Sequence, residues 1–459
     1  MDSSATTNFA LPPFGHPMLR HFLLEDGFVS LNHGSYGTYP RSVRDSLRAY
    51  QDLAESNPDR WMRKTMHDEM TKVRSRLGTF LNCPPTDLAI VPNTSAGINA
   101  ILRSMHLRPG DKLLCLSTIY EAMHQTLCYL CDTHEGVSLV CVEVAYPVSD
   151  DALVEAVEQV IEEEERKEDG LVGGRIRIAI VDAISSQPGV RVPFERLVKV
   201  LKRHRILSLV DGAHAIGHIP LDLQELDPDF LVTNCHKWLY SVRGSAVLYV
   251  PRRWQVSVHP TSISIGYKDR DFQAEFEWQG TIDFSGYMTI PAGMGFIPIF
   301  LEFACLNCNR WFHYSLLMPS PSSSIPALDF RTTLGGESRI QSYCHTLAVQ
   351  GGQLVARLWG TSVMENPEGT LTANMVNVRL PLTTPATDNN MVKRQVHYLM
   401  EVQLLEFRCF AAPYRHAGAW WVRMCAQVYN EIGDFEVVAK ALGVACKRLE
   451  SVGGDVDKL

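Results

Sequence analysis

The chain has 459 residues, of which 46% are hydrophobic and 20% charged, a balance that excludes a disordered or fibrous polypeptide. Its net charge of -8 excludes a general attraction to nucleic acid, which needs clustered Lys and Arg to displace counterions from phosphates. The expected partner is a small molecule, and the length predicts a large and a smaller domain rather than one core.

In chain order, residues 1–16 hold no basic patch followed by an apolar run, so they do not read as a secretory signal, and a cytoplasmic address is the default. The 12 cysteines lack regular spacing and read as free thiols of a reducing compartment. Two CxxC pairs, Cys128/Cys131 and Cys305/Cys308, have zinc-site spacing. The first lies in a helix-like stretch and the second in an odd segment, so no metal is expected.

Between about 85 and 250, strand-like runs at 112–116, 137–144, 176–181, 206–210, 230–232 and 246–250 alternate with helical stretches. This predicts an α/β fold with a mainly parallel sheet between helices. The charged run 162–169 reads as a solvated helix end and loop. Beyond 332, helical stretches at 338–358, 391–406 and 434–450 surround strand-like runs at 375–380 and 420–425, which predicts a smaller α+β domain. The expected division is 1–60 as a segment joining the small domain, 61–290 as the large domain and 327–459 as the small one. No membrane span is expected, since the apolar stretch 293–301 is short.

Residues 293–326 stand apart. They are apolar, aromatic and Ser/Pro-rich without helical or strand period, and Ile-Pro-Ala occurs on both sides, at 290–292 and 325–327. The stretch reads as an atypical insertion, a retained intron that has been translated, with a lid or a partner site as the alternative.

Three segments carry chemistry. In DPDFLVTNCHKWL (227–239; the run begins at Asp227) a strand delivers Lys237 to its carboxyl end before Trp238 and Leu239 return to apolar surroundings. Partial burial disfavours the ammonium and suits a Schiff-base lysine; a snorkelling lysine is the plain alternative. In ILSLVDGAHAIG a buried strand ends in Asp211, where a carboxylate points into the crevice outside the sheet and can hold the pyridine nitrogen of pyridoxal phosphate (PLP) protonated; a helix cap is the alternative. In VPNTSAGINAIL, Asn93, Thr94 and Ser95 precede a helix expected from Ala96, a ready phosphate site or an ordinary cap. No GxGxxG follows a strand, which disfavours a dinucleotide fold.

With LNHGSYGTYP (31–40), PNTSAGIN (92–99), STIY (117–120), SSQPGVRVPF (185–194), DGAHAIG (211–217) and RMCAQVYN (423–430), this order of motifs resembles the class V aminotransferase family of fold-type I PLP enzymes, in its fungal isopenicillin-N-epimerase-like branch. The resemblance implies a homodimer with active sites at the subunit interface. It implies Lys237 as Schiff-base lysine, Asp211 as pyridinium partner, and His214 near the cofactor's phenolic oxygen or the lysine. Thr94, Ser95 and His236 are implied as phosphate ligands, with Thr281 reaching across from the other subunit. Tyr120 is implied as ring neighbour and proton donor, with a core tyrosine as its alternative. Arg423 matches the arginine that grips the substrate carboxylate, against a structural cation–π contact. His33 and Arg63 fall on the substrate side, although 60–70 departs from the lyase pattern. The implied reaction is β-elimination at a C–S bond, as in hercynylcysteine sulfoxide lyases of ergothioneine biosynthesis, or else cyclisation or epimerisation on the same catalytic frame.

Overall fold

The computed structural model describes residues 11–167, 174–269, 271–290, 326–384 and 388–459, and the backbone alone of 300–304 and 311–315. Seven strands build the main sheet: β1 (Leu88–Val91), β2 (Lys112–Leu116), β3 (Ser138–Val142), β4 (Ile176–Asp182), β5 (Leu207–Asp211), β6 (Phe230–Asn234) and β7 (Ala246–Tyr249). Their order is β1-β7-β6-β5-β4-β2-β3, parallel except for β7, which runs antiparallel to both β1 and β6. Every strand but the edge strand β3 is buried on both faces over nearly its whole length, as a parallel sheet between helices requires. Alternate residues therefore feed two cores. Leu114, Val181, Val210 and Val247 join one, with helices α1 (Arg41–Ser56), α2 (Met66–Leu81) and others. Leu113, Ile180, Leu209 and Val232 join the second, under helices α3 (Thr94–Arg103) and α4 (Glu121–Thr133).

The smaller domain has an antiparallel sheet of β8 (Met375–Arg379), β9 (Ala412–His416) and β10 (Ala419–Cys425), ordered β8-β10-β9. Two long helices, α5 (Glu337–Trp359) and α6 (Ile432–Ser451), cover it. The adjacent Gly351 and Gly352 permit this packing, since a methyl at either would stand 2.4 Å from Phe435 or Val376. The N-terminal strand Val29–Ser30 pairs in parallel with Cys409–Phe410. Helix α1, expected with it, instead sets Tyr50 against Trp61 in the large-domain core.

Within the insertion, Phe300–Ala304 and Trp311–Ser315 pair as antiparallel strands, which corrects the expectation of no strand period. The remainder of 291–325, with Cys305 and Cys308, lies outside the described residues. Its flanks meet: the Leu328 amide donates to the Ile290 carbonyl at 3.3 Å. No described helix is long and apolar enough to cross a membrane.

Candidate active site

The parallel strands all deliver their carboxyl ends to one edge of the sheet, where α/β folds place ligands. Asp211 is the last residue of β5 and Asp182 the last of β4; the two are register partners, so their side chains leave the same face, about 4.8 Å apart at the backbone. Both are buried. Asp211 Oδ1 accepts from the Ala213 amide at 2.9 Å, an Asx turn that stops the strand. Asp182 Oδ2 has no hydrogen-bond partner among the described residues. Burial, reinforced by the Asp211 charge, pushes Asp182 well above the usual carboxylate range. Burial raises Asp211 too, opposed by the Ala213 bond and the Lys237 charge.

Lys237 follows β6 in the short helix Cys235–Trp238. Burial drives its amine down to about 8, helped by the Arg423 charge and opposed by Asp211, Cys425 and Asp182. Its Nζ stands 3.1 Å from His214 Nε2, and the Trp238 indole donates to His214 Nδ1 at 3.1 Å. Burial holds His214 well below the ordinary imidazole value.

Helix α3 starts at Thr94, with Asn93 as its cap accepting from the Ala96 amide at 2.8 Å. The expected start at Ala96 is thus two residues late, and Thr94 and Ser95 form the first turn. The Thr94 amide donates to Asn234 Oδ1 at 3.0 Å, tying this helix tip to the segment that bears Lys237. Thr94 Oγ1 is buried and without a partner. The helix lies close because residue 97 is glycine: a methyl there would stand 2.6 Å from Val232 Cγ1. His236 Nδ1 donates to the Ser245 carbonyl at 3.0 Å, and burial lowers its ring to about 4.

Arg423 on β10 is buried. It donates to the Ser186 carbonyl at 2.6 Å, Asn32 Oδ1 at 3.0 Å and Ser35 Oγ at 2.6 Å, while its Nε is unpaired. Its charge acts on Lys237, so the two cations face one another across the site. Its stacking alternative does not occur, since the described cation–π pairs involve Arg103, Arg331 and Arg339.

Other expected residues stand differently. His33 donates from Nε2 to the Lys237 carbonyl at 2.8 Å and pairs through Nδ1 with the Tyr429 hydroxyl at 3.0 Å. Both nitrogens are committed to protein groups, so His33 braces the lysine backbone in place of the expected substrate contact. Tyr120 precedes α4 at the carboxyl edge and is 48% exposed; it is not a core residue. Thr281 is exposed on a bend, without a described contact to the Lys237 group. Arg63 is exposed and pairs with Asp59, without a described contact to the Lys237 group.

Three further residues hold the site together. Arg331 is buried and donates to the carbonyls of Trp238 at 2.7 Å and Gly217 at 2.9 Å, locking the lysine turn to the DGAHAIG turn. His218 stacks on Trp238 at 3.9 Å, donates to the His214 carbonyl and accepts from the Asn374 amide. Asp182 is the third. Its signal was present, an acid ending an apolar strand as Asp211 does, whereas Arg331 acts across a gap in sequence that no local pattern reveals.

The donor set fits PLP: an amine of lowered basicity for the aldehyde, a buried acid for the ring nitrogen, and an unpaired hydroxyl at a helix tip for the phosphate. The aminotransferase class-V profile matches residues 37–282. An L-cysteine desulfhydrase-like protein of Epichloe uncinata is 32% identical over 97% of both chains. The hercynylcysteine sulfoxide lyase of Schizosaccharomyces pombe is 27% identical, covering 94% of this chain and 98% of that one. The solved cystine C–S lyase C-DES, in complex with cysteine persulfide, superposes with a TM-score of 0.68 at 16% identity, over 93% of this chain and 99% of that one, which shows the same fold. The chain belongs to the class V aminotransferase family of PLP enzymes.

Proposed function

We propose that this protein is a PLP-dependent C–S lyase acting by β-elimination on a cysteine-derived amino acid. The observation that carries it is the Lys237 amine, which stands 3.1 Å from His214 Nε2 and which burial brings down to about 8. Thr94, Ser95 and His236 would hold the phosphate, Asp211 the ring nitrogen and Lys237 the aldehyde carbon. When bound, PLP supplies an electron-withdrawing ring that stabilises negative charge at the substrate Cα. Arg423 orients the substrate carboxylate with its forked donors. Lys237 removes the proton from Cα as general base. The Cβ–S bond breaks with its electron pair leaving on sulfur, and Tyr120 donates the proton that neutralises it. The remaining three-carbon fragment hydrolyses to pyruvate and ammonia.

The finer reading is hercynylcysteine sulfoxide as substrate, supported by the relative of that name; the cysteine desulfhydrase-like relative supports L-cysteine itself. We further propose a homodimer, supported by the exposed apolar side chains of Ile263, Ile265, Tyr267 and Ile282; light scattering at the mass of one chain would refute it. Purified protein loaded with PLP and given each substrate should release pyruvate, fastest from the sulfoxide. Release from cysteine alone replaces that substrate, and release from neither overturns the lyase.

A further inference from the structure

His214 is gripped from two sides by groups with opposite requirements. The Trp238 indole nitrogen can only donate, and it stands 3.1 Å from His214 Nδ1, so Nδ1 accepts. A neutral imidazole carries one N–H, which places the proton on Nε2. The neighbour of Nε2 is Lys237 Nζ, 3.1 Å away, and an ammonium has no lone pair with which to accept that hydrogen.

We propose that Trp238 is a positioning residue: its indole N–H fixes His214 as the Nε2–H tautomer, which in turn selects the free-amine form of Lys237. The donor is itself built in. His218 stacks on the indole with ring centres 3.9 Å apart, and Arg331 donates to the Trp238 carbonyl at 2.7 Å. Around Lys237 stand the charges of Arg423, Asp211, Asp182 and Cys425, and around His214 those of Arg423, His218 and His236. They act through space on either tautomer. Among the described residues it is the indole, bonded to Nδ1, that distinguishes the two ring nitrogens. Without it, His214 can turn its proton to Nδ1 and accept from the lysine ammonium through Nε2, the arrangement that protects the unreactive form.

The proposal rests on the PLP reading of Lys237 for its kinetic consequence, but not for the tautomer. The test uses the full-length chain freed of cofactor and labelled with ring nitrogen-15 histidine, the His214 signal being assigned by its loss in H214Q. Wild type should show a protonated Nε2 and a bare Nδ1, and W238F should show both tautomers. Because Trp238 is 1% exposed, a second variant places benzothienylalanine at 238, which keeps the bicyclic shape and exchanges N–H for sulfur. Uptake of PLP by both variants, followed by absorbance, should slow roughly fivefold at pH 7, as loss of one hydrogen bond implies. The deficit should vanish above about pH 10, where the amine is free in any case. A deficit equal at every pH, with the tautomer unchanged, overturns the proposal. Wild-type protein that shows the stated tautomer yet takes up no PLP would support the tautomer assignment and remove the cofactor reading instead.

Discussion

Replacing Lys237 with Met should make the cofactor-free protein more stable at neutral pH. The amine falls from an ordinary value of 10.5 to about 8 in the fold, a drop of about 2.5 on the pH scale. At about 1.4 kcal/mol for each, the native state carries a penalty of about 3 kcal/mol for the buried ammonium. The sign follows from proton counting. Below pH 8 the lysine is protonated in both folded and unfolded chains, and the penalty is present in full. Between pH 8 and 10.5 the unfolded chain binds the proton and the folded one does not, so stability rises with pH. Methionine has similar length and no charge, so the variant should gain about 3 kcal/mol at pH 7, whereas at pH 10.5 it forgoes about 1 kcal/mol from the hydrogen bond that His214 makes to the free amine. Urea unfolding of both proteins, followed by tryptophan fluorescence at pH 7 and pH 10.5, measures the difference. The gain should shrink to zero or reverse at the higher pH. A variant less stable at pH 7, or an advantage unchanged between the two pH values, refutes the reasoning.

Arg423→Lys keeps the charge but cannot reach Ser186, Asn32 and Ser35 together, so KM for the amino-acid substrate should rise about tenfold or more with PLP absorbance unchanged; steady-state kinetics with a spectrum checks this. Gly97→Ala, whose methyl meets Val232 at 2.6 Å, should cost about 1–3 kcal/mol, and adding Val232→Ala should recover part of it in a double-mutant cycle. Excising residues 293–326 should leave the thermal midpoint within a few degrees, about 1 kcal/mol, because Ile290 and Leu328 already touch; a variant that fails to fold shows that the stretch supports the core. Sequencing the mature transcript checks the intron reading, which a message encoding the stretch would rule out.

The chemistry was legible where one strand ended in one reactive residue. Asp211 and Lys237 each close an apolar run, and the strand expected at 112–116 has those bounds in the fold. The edge strand Leu88–Val91 is four residues long and β9 carries Pro413 and Arg415, so neither shows a clear period. Roles that depend on distant partners left no local trace. Trp238 reads as an apolar return to the core, and only the fold brings its N–H to a histidine in the preceding strand-turn unit. His33 sits in a motif shared with the family, yet its two hydrogen bonds reach residues 204 and 396 positions away. The charged run at 162–169 ends α-helical to Lys167, with 168 and 169 outside the described residues.

The most direct measurement is borohydride reduction of the PLP-loaded protein followed by peptide mapping. The account predicts a single reduced pyridoxyl group on Lys237, in the peptide that also holds Trp238, with Lys237→Met unlabelled. A label on another lysine, or none at all, contradicts it.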